Sequence, residues 1–247
     1  MPFARSRLVV PKIGSLLNAI LLGLFLVSLV AVMLAHEEAF ARNAICKSLR
    51  LCFESENPKF WNKVIYDIGM GTMLSLVFYL LLVKLPETLK RQRIKRGLMR
   101  QYRSFKLGCL AVILLVVDNS YTTENLERLL DKSAFRQNFQ RDPVTKLSRW
   151  DTFLNNVSDD YVGEILTHIQ LLREEISYVL NNIEIDRDDV FEFLKQLGMQ
   201  TYWLKDSSSD YDGIKRLSGF LWSTLSGWNF IDGYEQPDVV DAMIAEI

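Results

Sequence analysis

Histidine and cysteine are scarce in this chain, with two of the first and three of the second among 247 residues. His168 follows Glu164 by four residues, a spacing that puts two ligands on one helix face, but no second histidine or cysteine lies near it in sequence. No metal is therefore expected. A glycine-rich phosphate loop, a dinucleotide fingerprint, a nucleophile elbow and a kinase signature are all missing. The run from Ser208 to Gly213 has oxygen-bearing side chains at alternate positions and glycine sixth, as a calcium loop opens. Its twelfth position is Gly219, where a bidentate Glu is needed, so the run reads as a solvated turn capping the next helix. Asp186, Asp188 and Asp189 sit at a helix start, where carboxylates suit the positive end of the helix dipole. Without a catalytic residue, metal or cofactor site to point to, the chain is not expected to be an enzyme.

Charge is missing from one long stretch. Ile13 to Ala35 holds no charged residue, and its clearly polar members are Ser15, Asn18 and Ser28. About 20 helical residues cover the roughly 30 Å hydrocarbon core of a bilayer, so this run is long enough to span. Arg5, Arg7 and Lys12 precede it, as in a signal peptide. The run exceeds the roughly 7–15 residues of such a segment, however, and His36-Glu37-Glu38 is a poor cleavage site. A second span is expected over 64–83, whose single charge is Asp67, four residues after Lys63 and beside Trp61 and Tyr66. That setting reads as an interfacial ion pair in an aromatic belt, although a carboxylate inside a span is also a functional candidate.

Acidic residues are nearly absent just after the second span. From Lys84 to Lys106 nine basic residues face Glu87 alone, which places that segment in the cytoplasm under the positive-inside rule. The stretch before Ile13 is then cytoplasmic as well. The intervening loop, 36–63, carries five basic and four acidic residues and would lie outside. Cys46 and Cys52 fall in that loop, where an oxidising compartment permits a disulfide between them. Cys109 reads as a reduced, buried residue. Within the basic segment Lys90, Arg91, Arg93, Lys95, Arg96 and Arg100 are candidates for contact with anionic lipid headgroups. Nucleic acid is not an expected partner, because residues 107–247 carry 24 acidic and 12 basic side chains.

Pro86 suits a helix start or kink at the membrane exit. Leu107 to Val117 is eleven residues without charge, too short to span alone. It reads as a buried helix linking membrane to core, with a buried strand as the alternative. Beyond it the chain is a series of helical patterns. Thr122 or Thr123 caps one that runs to about Asp131. Ser148 and Asp151 resemble a capping box, and Ser158 opens the longest helix, from Asp159 to about Asn182. In that helix Ile165, Ile169, Leu172, Ile176, Val179 and Ile183 recur at steps of 4, 3, 4, 3 and 4, the seam of a bundle or of a self-associating coil. A further helix starts at Asp186 to Asp188, and a last one near Pro237. Phe220, Leu221, Trp222, Leu225, Trp228 and Phe230 form an aromatic stretch that fits a core or a docking face.

The expected architecture is all-α: a two-helix transmembrane hairpin in residues 1–85, a basic juxtamembrane helix and apolar connector over 86–117, and an acidic helical cytosolic bundle over 118–247. The hairpin resembles the bacterial two-transmembrane effectors of antiviral defence systems, including those paired with retrons. The resemblance lies in the topology and in the run from Phe60-Trp61 to Pro86-Glu87, with small residues Gly69, Gly71 and Ser75 between an aromatic entry and a Pro-Glu exit. It covers about the first 110 residues. It implies a cytosolic module that keeps the hairpins inactive until a phage-linked signal arrives, after which they assemble and permeabilise the inner membrane. Ala19-x-x-x-Gly23 and Gly71-x-x-x-Ser75 are small-x-x-x-small patterns that let helices approach closely, within one hairpin or between copies, with Asn18 as a polar contact. The expected partners are the bilayer, a protein that binds the acidic domain, and further copies of the chain. The rival expectation is a non-toxic anchor or scaffold that holds a cytosolic partner at the inner membrane.

Overall fold

The computed structural model describes residues 13–35, 58–140, 148–229, 233–234 and 238–247. It is predominantly helical. In chain order it has α1 (Ile13–Ala35), α2 (Pro58–Tyr79), a π-helical turn (Leu80–Lys84), α3 (Leu85–Asp118), α4 (Thr123–Leu129), α5 (Lys132–Phe139), α6 (Arg149–Asn156), α7 (Asp159–Asn182), α8 (Asp188–Trp203), α9 (Tyr211–Ser226) and α10 (Val239–Ala245). Between α9 and α10, β1 (Trp228–Asn229) pairs antiparallel with β2 (Gly233–Tyr234), Trp228 opposite Tyr234. The chain divides into two compact units, residues 1–89 and 90–247.

In the first unit α1 packs along α2. The close approach is at Gly69, where a Cβ would stand 2.8 Å from Val32 Cγ2 and 3.2 Å from the Ser28 carbonyl oxygen. Ser28, Ala35 and Leu76 are buried around this seam. The remaining faces are apolar and exposed, with Leu22, Val27, Ile68, Leu74 and Phe78 among the outward side chains. Thr72 and Ser75 donate their hydroxyls to the Ile68 and Gly71 carbonyls one turn back, both at 2.8 Å, which satisfies them within their own helix. Among the described residues one helix, running from Lys63, is long and apolar enough to cross a membrane.

The second unit has its own core. In α3 the residues Ile94, Leu98, Tyr102, Phe105 and Cys109 recur at steps of 4, 4, 3 and 4 and are buried, and from Leu110 to Leu114 burial extends almost round the helix. The uncharged run at 107–117 is thus core helix rather than strand, since an all-round apolar helix needs protein on every side. The seam from Ile165 to Val179 is buried on α7, which leaves it no face for a coil with another copy. Gly97 and Gly108 let α7 side chains come close to α3: a Cβ at Gly97 would meet Glu175 Oε1 at 2.9 Å, and one at Gly108 the His168 ring at 2.4 Å. Phe135, Trp150 and Trp222 interlock, with Trp150 and Trp222 centroids 5.1 Å apart and Phe135 to Trp222 5.6 Å. The aromatic stretch at the end of α9 is accordingly core over Phe220 to Leu225, while Phe230 lies outside the described residues.

Helix ends follow local chemistry. Thr122 Oγ1 accepts from the Asn125 amide, and Ser148 and Asp151 form a reciprocal capping box. The helix expected to run to Asp131 stops at Leu129, because the Asp131 carboxylate caps a separate helix, α5, by accepting from the Ala134 amide. Ser158 precedes α7 without a side-chain bond, and Arg187 holds the corresponding place before α8. Asp210 caps α9 through the Gly213 amide, so the run from Ser208 to Gly213 is a capping turn. Gly227 ends α9 at φ +68°, a left-handed conformation that favours glycine.

Candidate functional site

The chemistry of this molecule sits on surfaces and in one buried polar cluster. On α3 the basic residues divide into two sets. Arg91 donates to Asp186 at 3.0 Å and to the Glu184 carbonyl at 3.1 Å, Lys95 donates to the Ala245 carbonyl, and Arg103 pairs with Glu127. These cations tie α3 to other parts of the same unit. Lys90, Arg93, Arg96 and Arg100 make no ion pair among the described residues and are exposed. The Arg96 and Arg100 side chains donate to the carbonyls of Gln92 and Arg96 in their own helix, which holds them along its surface. Arg93, Arg96 and Arg100 stand at steps of 3 and 4, so they form one stripe. At 100° per residue that stripe lies roughly opposite the buried face of Leu98 and Tyr102.

Farther along α3, Lys106 is pulled inward. Its ammonium donates to Asp238 and Asp241, each at 3.1 Å, and lies 4.3 Å from the centre of the Tyr102 ring. Asp238 also accepts from the Tyr102 hydroxyl at 3.2 Å, faces Lys132 at 3.7 Å and caps α10 through the Val240 and Asp241 amides. Side-chain exposure is 9% for Lys106, 11% for Lys132 and 15% for Asp238. Burial first, then the charges of Asp238 and Asp241, push the Tyr102 phenol well above its usual range. The cluster borders an open groove of about 400 Å³ between Phe193, Phe220 and Val240.

Ala19, Gly23, Gly71 and Ser75 lie on exposed faces of α1 and α2, and a Cβ at Gly23 or Gly71 would meet nothing within 4 Å. They do not close the helix pair. Gly69 does, and it was not singled out for that role because α1 carries no charge and its few polar residues, Ser15, Asn18 and Ser28, do not mark one solvent face. Asn18 is exposed. Asp67 and Lys63 are exposed and not joined by an ion pair. His168 packs its ring over Gly108, and no group of three metal-ligating side chains occurs among the described residues. Cys109 is a free, fully buried thiol, and burial raises its pKa. Cys46 and Cys52 lie outside the described residues, as do His36 and Pro237. The buried cluster around Asp238 escaped the sequence reading, since Lys106, Lys132 and Asp238 are more than twenty residues apart and look like ordinary surface charges.

Compared with known protein families, curated proteins and solved structures, the chain matches none.

Proposed function

We propose that this chain is a multi-pass inner-membrane effector: α1 and α2 span the bilayer, the stretch before α1 and the helical module after α2 are cytoplasmic, and the hairpins of several copies assemble to permeabilise the membrane. The observation that carries this reading is the placement of the small residues. Ala19 and Gly23 on α1, and Gly71 and Ser75 on α2, point away from the α1–α2 seam. In a bilayer such faces allow close backbone approach by a neighbouring helix. Lengths support two spans: at about 1.5 Å per residue the 23 uncharged residues of α1 and the 20 of 64–83 each cover about 30 Å or more. The charge imbalance after 83 supports a cytoplasmic module. The setting in antiviral defence, and restraint by the module until a signal arrives, rest on the resemblance of the hairpin to two-transmembrane effectors.

A passive anchor is the second reading. It is favoured by the exposed face of α8, where Phe191, Met199, Tyr202 and Trp203 lie beside Asp188 and Glu192, a surface suited to a protein partner with basic and apolar side chains. Controlled expression in a bacterium separates the two. The effector reading requires loss of membrane potential and of colony survival with the full chain, under its trigger or with the restraint removed, and neither loss with a version lacking residues 1–85. Unchanged potential together with stable capture of a cytosolic partner supports the anchor.

A further inference from the structure

We infer that Arg93, Arg96 and Arg100 form the contact of the α3 module with anionic phospholipid headgroups, and that Arg91 and Lys95 take no part in it. The inference rests on the membrane reading above and narrows it. Six basic residues over 90–100 look interchangeable in sequence, but the structure commits Arg91 to Asp186 and Lys95 to the Ala245 carbonyl. Of the four that remain, all exposed and with no acidic partner among the described residues, the three arginines share one face and Lys90 lies about a quarter turn away from it.

Three features favour a lipid surface over other occupants. The stripe is wholly cationic and spans eight residues, about 10 Å of helix, which matches the lateral spacing of a few headgroups better than a folded groove. Guanidinium groups bind phosphate through paired donors. The tether is also short: Arg93 and Arg100 follow Val83 by ten and seventeen residues, at most about 15 and 25 Å of helix, so the contact requires α3 to lie along the bilayer surface. Beyond residue 106 the module carries twice as many acidic as basic side chains, and an anionic leaflet repels that part. The stripe and the acidic remainder together would orient the module with the α3 face toward the bilayer.

Phenylglyoxal labelling of the full-length protein in vesicles tests this, with modified arginines read by mass spectrometry. One set of vesicles is phosphatidylcholine alone, and the other contains about one-third phosphatidylglycerol. The expected result is labelling of Arg93, Arg96 and Arg100 slowed at least roughly fivefold by the anionic lipid, the partition factor for one cation at such a surface. High salt should relieve the protection, and Arg128 and Arg216 should label alike in both vesicles. Equal labelling of the stripe in both compositions overturns the inference. So does protection that persists in phosphatidylcholine alone, which assigns the stripe to a protein contact, or protection that appears only on adding RNA. Alkaline carbonate extraction of the same vesicles tests membrane insertion separately, so loss of the stripe contact and loss of the membrane reading give different results.

Discussion

Buried single residues set the tolerances of this fold. Cys109 and Tyr102 are both buried on α3, two turns apart, and burial disfavours the ionised form of each. An unfolded thiol ionises near pH 8.5 and the native one stays protonated, so above that pH the unfolded state sheds a proton that the native state keeps. Stability is therefore full below about pH 8.5 and falls by about 1.4 kcal/mol per pH unit as pH rises, with Tyr102 adding its own slope above about pH 10. Urea unfolding at pH 8, 9 and 10 should show this decline, and Cys109→Ala should remove the part between pH 8.5 and 10. Gly108 supplies a second test. Alanine normally stabilises a helix by about 1 kcal/mol over glycine, yet here its methyl would meet the His168 ring at 2.4 Å. Gly108→Ala should lower the melting temperature, and adding His168→Ala should restore it.

Among the helices, legibility in the sequence followed contrast. The α7 seam was readable because Glu164, Gln170 and Glu174 mark the outside and the isoleucines the inside. In α1, which has three polar residues and no charge, the same reasoning cannot choose a face, and Gly69, the residue that closes the pair, was not singled out for that reason. The run at 107–117 left helix and strand open until its all-round burial in α3 decided for helix. Least legible was α10. It has seven residues and one fully buried side chain, Ile244, too little apolar surface to hold it. Polar contacts hold it instead: Asp238 caps the helix and receives Lys106, Lys132 and Tyr102 at once. Removing one partner from a mostly buried ion pair leaves the other charge unsatisfied, at a cost of about 3–5 kcal/mol, and a lost cap adds about 1 kcal/mol. Asp238→Ala should thus free α10 before the rest of the unit melts, seen as fast hydrogen exchange over 239–245. Lys106→Met with Asp238→Asn should recover part of the loss.

Across the whole molecule, the outward small residues and the inward glycine make different demands on the chain, and substitution can separate them. A Cβ at Gly69 runs into Val32 and the Ser28 backbone, so Gly69→Val should break the α1–α2 pair itself and reduce the amount of inserted protein. A Cβ at Gly23 or Gly71 meets nothing within 4 Å among the described residues, so Gly23→Leu and Gly71→Leu should leave the pair intact and even favour helix. Any effect of these two must come from outside the chain, through a neighbouring copy or lipid. If hairpins assemble through these faces, the leucine variants should insert normally in carbonate extraction, lose cross-linked oligomers in the membrane, and lose depolarisation under conditions where the parent chain causes it. A passive anchor predicts the reverse: normal insertion, unchanged cross-linking and no depolarisation from parent or variant. Because a Cβ at either position meets nothing within 4 Å among the described residues, a loss of oligomers in these variants assigns assembly to the α1–α2 outer faces rather than to the cytoplasmic module, whose α7 seam is already filled by its own core.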